Sequence, residues 1–244
     1  DSTLKYAKVL KTANDSLTSS KTNQQILLMT FEEDLRQQEL AAEKVKPEER
    51  RTLILAEPLV QYHMRDGQPE QRIGTAGDSY NFALTLHSMQ EKFGNSMGKL
   101  YFGTAFGGSA DTPSQDDAMF IDELKARGID IDKFVKFDPE RQVGRYTVHY
   151  DANGVIKEGQ DRNSYARANA AAKFYFDKKT ADLMKEIIIT EGITQIVASH
   201  IMLGNCNDRE SYLEFLNFAK KSGIDVIWAD NYRAAVWRKD PDNV

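Results

Sequence analysis

The chain has 244 residues, of which 41% are hydrophobic, and this is enough for one sizeable domain with or without a small appendage. Its formal net charge of −5 offers no electrostatic attraction for nucleic acid or an anionic membrane, and its single cysteine excludes an internal disulfide bond and a cysteine-based metal site. No apolar run approaches the length of a membrane span, so we expect a soluble protein that binds no nucleic acid. Because the sequence begins with Asp1, we expect it to be processed or incomplete at its amino end, which leaves open whether it works in the cytoplasm or an organelle matrix.

The first 50 residues differ in pattern from the rest and predict a helical arm. Thr30 and Glu33 form a capping box for a helix that continues to about Lys44 and is stopped by Pro47. Its apolar stripe is thin, and such a helix does not hold itself together in water. We therefore expect residues 1–50 to be an extension that docks on the main body or on another protein. A loosely docked or disordered tail is the alternative.

From residue 51 onward, short apolar runs alternate with longer amphipathic segments. Residues 53–60 are a nearly continuous apolar run, broken by Glu57-Pro58, and predict the first buried strand of an α/β sheet. Further strands are predicted over 99–105, 145–150, 195–199 and 225–229, and helices over 116–127, 180–190 and 208–222, the last one capped by Asn207. The final strand–helix–strand unit has the spacing of a right-handed parallel crossover. The sequence therefore predicts a doubly wound sheet over residues 51–244, with ligands at the carboxyl ends of its strands.

The stretch from Thr75 to Asn81 predicts a tight turn that opens directly into a helix. Gly77 lets the backbone turn sharply and lets a ligand approach closely, while Asp78 or Ser79 can cap the helix. The apolar positions that predict a largely buried helix are Phe82, Leu84, Leu86 and Met89. A helix amino terminus beside a glycine turn is a natural site for a polar ligand, although a capped surface helix has the same pattern.

Four segments resemble, in the same order, the signatures of the phosphofructokinase-B (PfkB)/ribokinase family of carbohydrate kinases. They are residues 76–83, similar to the Gly-Gly-Asp-x-x-Asn form of 2-keto-3-deoxygluconate kinases; 144–148, similar to a Gly-x-Tyr strand; 165–172, similar to a Tyr-x-Arg segment with a run of small residues; and 230–237, similar to an Asn-Tyr-Arg-x-x-x-Trp signature. The resemblance implies a ribokinase-like fold, that is, a three-layer, mostly parallel α/β sheet with a small β-lid over the sugar.

The resemblance also implies a sugar-binding site at the first turn and the lid. Its residues would be Gly77, Asp78, Asn81, Tyr146, Tyr165, Arg167, Ile201 and Arg233. The tyrosines would supply flat faces and hydroxyl groups, and the arginines would supply the planar charged fork that binds the carboxylate of a sugar acid. Ordinary strand, loop and surface ion-pair roles are the alternatives for these side chains. Three residues depart from the family pattern and could narrow the pocket, namely Ala76, His200 and Ala234.

One family motif has no counterpart in these 244 residues. Family members carry a late Gly-Ala-Gly-Asp motif, in which the aspartate acts as the base and backbone N–H groups stabilise the transferring phosphoryl group. No Gly-x-Gly-Asp occurs near Val244, and there is no Walker-type loop to replace it. The resemblance therefore implies ATP and Mg²⁺ as cofactors, but we expect neither a site for them nor a catalytic residue nor a metal site in this chain.

Three functions remain open at the level of sequence. The first is part of a longer kinase that transfers phosphate from ATP to a sugar acid such as 2-keto-3-deoxygluconate, which requires a missing C-terminal segment. The second is a non-catalytic, kinase-like structural subunit of a larger assembly, which requires a protein partner over the open sheet. The third is a sugar-acid binding module, which requires measurable sugar affinity by this chain alone.

Overall fold

The computed structural model describes residues 50–93, 98–158 and 163–229. The helical arm predicted for residues 1–50 therefore lies outside the described residues, residue 50 apart. In chain order, the elements are β1 (Arg51–Leu55), β2 (Leu59–Arg65), β3 (Gln71–Ala76), α1 (Asp78–Phe93), β4 (Lys99–Gly107), α2 (Gln115–Ala126), β5 (Val135–Asp138), β6 (Gly144–Tyr150), β7 (Asn163–Ala166), a 3₁₀ turn (Ala171–Phe174), α3 (Lys178–Thr190), β8 (Gln195–Ser199), α4 (His200–Asn205), α5 (Arg209–Lys221) and β9 (Asp225–Ala229).

The main sheet has five parallel strands in the order β5-β4-β1-β8-β9. β1 lies at its centre, with Leu53 opposite Tyr101 of β4 on one side and opposite Ile196 of β8 on the other. The predicted parallel pairing of residues 195–199 with residues 225–229 is confirmed over the whole length of β8 and β9.

Helices cover both faces of this sheet, so the fold has three layers. Leu53 and Leu55 of β1 point into a core that includes residues of α3 and α5, whereas the intervening Ile54 points into a second core with residues of α1 and α2. A strand that is buried on both faces needs apolar side chains at consecutive positions, which is why these strands are apolar runs without alternation. The predicted doubly wound α/β class is confirmed.

A second, four-stranded sheet has the order β3-β2-β6-β7, and we refer to it as the lid. Its outer pairs, β2–β3 and β6–β7, are antiparallel, while β2 and β6 run parallel. The register between β2 and β3 shifts at Gln61 and Tyr62, which marks a bulge. The small β-lid that the resemblance implied is therefore present.

The sequence predicted a single strand over the apolar run of residues 53–60, and this prediction is wrong. It divides at Glu57-Pro58 into β1, in the main sheet, and β2, in the lid. The proline has no N–H group to donate within a ladder, and the glutamate requires polar partners that a central strand does not provide. The interruption in the apolar pattern is therefore the junction between the two sheets.

Two details of the helices also differ from the sequence prediction. In α1, the fully buried side chains are Tyr80 and Ala83, which are one helical turn apart, whereas Phe82 and Met89 lie on the opposite, exposed face. The cap of α5 is Asp208 rather than Asn207, because an oxygen of its carboxylate accepts a hydrogen bond from the Ser211 N–H group at 2.9 Å. Within the described ranges, no helix has the length and apolar character required to cross a membrane.

Candidate functional site

The lid joins the main sheet through the segment that follows β1. Backbone hydrogen bonding fixes the start of this segment, because the Ala56 N–H group donates to the Gly103 carbonyl of β4 at 3.1 Å. Glu57 comes next, at the carboxyl end of β1, and is only 6% exposed. This edge is where open parallel sheets bind their ligands. The connection between body and lid therefore carries a buried carboxylate to that edge.

The Glu57 carboxylate contacts one residue of the body and one residue that follows the lid. The Asn205 side-chain amide, at the end of α4, donates to Oε2 at 2.7 Å. Arg167 follows β7, and its Nε lies 3.1 Å from Oε1. Neither Arg167 Nε nor Glu57 Oε1 has a well-aligned hydrogen-bond partner within the described residues, so their contact is an ion pair of imperfect geometry. Glu57 thus ties the end of the lid to the sheet.

Burial governs the ionisation of Glu57. Removal from water raises the pKa of its carboxyl group, and the charge of Asp78 acts in the same direction. The Arg167 guanidinium, the Asn205 hydrogen bond and the charge of Lys173 partly oppose this increase in pKa. A buried carboxylate of this kind remains tolerable only with its partners in place, because an uncompensated buried charge is strongly destabilising.

The predicted glycine turn packs directly against the Glu57 backbone. Gly77 has φ +118°, and a Cβ atom at this position would lie 2.5 Å from the Glu57 carbonyl oxygen. The Gly77 carbonyl accepts a hydrogen bond from the Asn81 N–H group at 2.8 Å, so the glycine is itself the cap position of α1. Asp78 consequently lies in the first turn of the helix and close enough to influence Glu57. Asn81 is exposed one turn further along.

The lid presents an aromatic pair on the face that carries Arg167. Tyr146 of β6 lies directly opposite Tyr165 of β7, and their rings stack with centroids 5.1 Å apart and planes at 29°. The guanidinium carbon of Arg167 lies 4.3 Å from the centroid of the Tyr165 ring. Because Arg167 also reaches Glu57, this face of the lid is turned toward the carboxyl edge of the sheet. Tyr165 remains 44% exposed there.

The remaining predicted site residues lie near the end of β8 or outside the described residues. Ile201 is buried at the start of α4, where the Ser199 hydroxyl caps the helix by accepting from the Met202 N–H group at 3.2 Å. His200 stacks on Trp228 of β9, with ring centroids 4.9 Å apart. Arg233 lies outside the described residues. The ligand-binding roles of all eight predicted residues stay predictions.

Sequence reasoning missed Glu57 and Asn205 as members of this cluster. A glutamate and a proline in the middle of an apolar run were the available signal for Glu57, because a charged residue there requires a buried partner. Asn205 gave no signal of its own. The described residues contain no group of three or more histidine, cysteine or acidic side chains placed to hold a metal ion.

Comparison with solved structures identifies the fold. The chain is similar to a PfkB protein from Polaromonas sp. JS666, with a TM-score of 0.57 and 16% identity over 78% of this chain and 58% of that one. It is similar to the fructokinase from Xylella fastidiosa with bound ATP, with a TM-score of 0.59 and 16% identity over 78% of this chain and 54% of that one. For the Vibrio cholerae O395 fructokinase bound to fructose, ADP and calcium ion, the TM-score is 0.55 and the identity is 17% over 80% of this chain and 55% of that one.

These likenesses show that the chain has the fold of the PfkB sugar kinases. The chain spans only 54–58% of the length of these three proteins. No protein-family model matches the sequence, and no curated protein matches it.

Proposed function

We propose that this chain forms the sugar-binding part of a carbohydrate kinase of the PfkB type. The observation that carries the proposal is the convergence at the carboxyl end of β1, where the Gly77 turn, the buried Glu57 and the lid-borne Arg167 meet. Ligands of open parallel sheets bind at this edge, and a lid over the edge excludes water from a phosphoryl-transfer site. The four kinase-like segments of the sequence support the same function.

The residues around this edge suit a ligand rich in hydroxyl groups. The Tyr146–Tyr165 pair offers a partly exposed aromatic surface with phenolic hydroxyl groups, which suits one face of a sugar ring. Asp78 and Asn81, on the first turn of α1, would bind sugar hydroxyls with their polar side chains. Ile201 would form part of the apolar wall, and Arg233 would add a positive charge.

Two related sugars are candidates for the ligand. The motif resemblance suggests 2-keto-3-deoxygluconate, whose carboxylate would bind an arginine fork. The Vibrio cholerae enzyme, by contrast, is described with fructose. Both have six carbons and a keto group at the second carbon, and they differ at the first carbon, a carboxylate or a hydroxymethyl group, and at the third carbon, which has no hydroxyl group in 2-keto-3-deoxygluconate. We therefore propose a six-carbon keto sugar or its acid as the ligand class.

ATP with Mg²⁺ is the phosphoryl donor that the proposed kinase would use. Phosphoryl transfer consists almost entirely of positioning and charge stabilisation. Residues 1–244 contain no Gly-x-Gly-Asp motif that could position the transferring phosphoryl group or stabilise its charge. We expect the polypeptide of residues 1–244 to bind the sugar without phosphorylating it. Robust sugar phosphorylation by this polypeptide with ATP and Mg²⁺ would contradict that expectation.

A second candidate function is that of a kinase-like structural subunit, and the edge of the main sheet favours it. Within the described residues, β9 pairs only with β8, and its Ile227 and Trp228 are 43% and 39% exposed. A groove of about 480 Å³, lined in part by Trp228, lies between α5 and β9. An exposed apolar strand edge is a typical docking surface for further protein. Sedimentation and thermal unfolding of the polypeptide alone test this function, because a soluble monomer with one cooperative unfolding transition would contradict it.

Sugar titration tests the principal proposal. We would titrate residues 1–244 with D-fructose and with 2-keto-3-deoxygluconate by calorimetry, and repeat this with Tyr165→Ala. Loss of the partly exposed ring should weaken sugar binding by about tenfold, which corresponds to about 1.4 kcal/mol. Leu183→Ala is the control, because Leu183 is also an exposed apolar side chain, at 53%, but lies on α3, away from the lid. Absence of binding to both sugars, or an equal loss in the two variants, would overturn the proposal.

A further inference from the structure

We propose that Glu57 is a positioning residue that sets the charge preference of the sugar site. By holding Arg167, it makes the site prefer a neutral keto sugar over the corresponding sugar acid. This inference rests on the proposed sugar-binding function. It also gives Arg167 a different role from the one that the sequence predicts, in which this arginine binds the ligand carboxylate directly.

The first argument is the geometry of Arg167, which is held from two sides. Its Nε lies against the buried Glu57 carboxylate at 3.1 Å, and its guanidinium plane lies over the Tyr165 ring with 4.3 Å between the carbon and the ring centroid. The Arg167 side chain is only 17% exposed. A ligand carboxylate that formed a two-point fork with the Nε edge of the guanidinium would have to replace Glu57 there. Arg167 is therefore placed to orient the aromatic pair.

The second argument is the balance of charge around Glu57. The groups that act on its carboxylate are two cations, Arg167 and Lys173, one anion, Asp78, and the neutral amide of Asn205. With Glu57 ionised, the cluster has two positive and two negative charges and offers no net attraction to an anion. A ligand carboxylate that drew Arg167 away would leave Glu57 buried without its closest cation, which is strongly unfavourable. A neutral sugar leaves the ion pair intact.

The third argument is that Glu57 can be neutralised without changing the shape of the site. Glu57→Gln has nearly the same shape, keeps an oxygen that accepts the hydrogen bond from Asn205, and removes the charge beside Arg167. Arg167 is then uncompensated, and the cluster becomes net positive. A charge-assisted hydrogen bond is about twice as strong as a neutral one. We therefore expect the ratio of acid to neutral sugar affinity to rise by about tenfold in this variant.

A matched pair of ligands isolates this effect. D-fructose and 2-keto-D-gluconate share the same keto group and the same configuration at the following three carbons, and they differ in having a hydroxymethyl group or a carboxylate at the first carbon. We would measure both affinities by calorimetry for residues 1–244 and its variants. The unmodified chain should bind D-fructose more tightly, and Glu57→Gln should shift the preference toward 2-keto-D-gluconate.

Two further variants separate positioning from a general structural effect. Arg167→Gln removes the cation from the same pair, so the preference should move in the opposite direction, further toward D-fructose. If Glu57→Gln does not fold, the pH dependence of the affinity ratio in the unmodified chain still tests the inference. Glu70→Gln is the matched control, because Glu70 forms a similar ion pair with Arg145. Arg145 precedes Tyr146 in β6, so its side chain lies on the other face of that strand, over the Tyr62 ring. The ratio of acid to neutral sugar affinity in Glu70→Gln should equal that of the unmodified chain.

The pH profile provides a readout that a purely structural role would not move. Because burial raises the pKa of Glu57, lowering the pH from about 8 toward 5 increases the protonated fraction of this group and should weaken the preference for D-fructose. The Glu57→Gln ratio should stay flat over the same range. An unchanged ratio in Glu57→Gln, or a shift in the same direction in both pair variants, would overturn the inference while leaving sugar binding established. Failure of every variant to bind either sugar would overturn the proposed function, and this inference with it.

Discussion

Replacement of Gly77 by alanine tests whether the turn before α1 must be a glycine because of the Glu57 backbone. Two separate costs arise at this position. With φ at +118°, any residue with a Cβ atom is strained by about 1–2 kcal/mol. The new methyl group would also lie 2.5 Å from the Glu57 carbonyl oxygen and 3.3 Å from the Pro58 Cα atom. Backbone atoms cannot rotate away as a flexible side chain can, so the segment after β1 would have to move.

The expected magnitude follows from these two contributions. Overpacking of a close contact costs about 1–3 kcal/mol. Together with the strain, and after a gain of about 0.4–1 kcal/mol from the restricted unfolded chain, Gly77→Ala should destabilise the fold by about 2–4 kcal/mol. Gly192→Ala is the matched control, because Gly192 has φ +63° but no neighbouring atom within 4 Å of the position that the new methyl group would occupy. That variant should lose only about 1 kcal/mol, which is the strain less the same gain from the restricted unfolded chain.

Urea unfolding followed by circular dichroism measures both variants under the same conditions. The midpoint should fall much further for Gly77→Ala than for Gly192→Ala, with similar slopes for the two. Gly77→Ala should also reduce the affinity for sugar, because the segment that it displaces contains Glu57. Equal losses of stability in the two variants would refute the reasoning that the turn and the Glu57 carbonyl are in close contact.

The remaining predictions concern a helix cap and the ionisation of Glu57. Asp208→Ala should lower the free energy of unfolding by about 1 kcal/mol, and Asn207→Ala by less than about 0.5 kcal/mol, in thermal unfolding; the opposite order would contradict the cap at Asp208. Since the folded-state pKa of Glu57 is raised above its ordinary value of 4.5, its contribution to stability is complete below that pH and is lost as the pH rises through the folded pKa. The stability of Glu57→Gln relative to the unmodified chain should therefore increase as the pH rises above 4.5, and a difference that stays flat or falls would contradict burial as the cause of the pKa shift.

The sequence predicted those parts of the fold whose signals are local. β8 and β9 are short apolar runs between clear stop signals, and their predicted bounds agree with the structure. The run over residues 53–60 misled because two buried strands in different sheets have the same apolar composition as one longer strand. At the start of α5, Asn207 and Asp208 are adjacent, and both are good cap residues, so only the hydrogen-bond geometry distinguishes them.

The candidate site was predictable only in part, for a different physical reason. The motif resemblance indicated Tyr146, Tyr165 and Arg167, and the register of β6 and β7 places the two tyrosines opposite each other. The partner of Arg167 could not be predicted, because Glu57 is far away in the chain and only the packing of the lid on the sheet brings the two together. A single sequence contains no signal for an ion pair of this kind, apart from the unusual glutamate within an apolar run.

Hydrogen exchange with and without sugar most directly tests the central claim that a keto sugar binds between the lid and the carboxyl edge of the main sheet. The 244-residue chain would be exchanged alone and with saturating D-fructose, followed by mass spectrometry of its peptides. We predict slower exchange in the segment around Glu57, in the turn at Gly77 and in β7 through Arg167, with no change in α3. Protection that is absent from all three segments, or that appears instead along β9, would contradict the account.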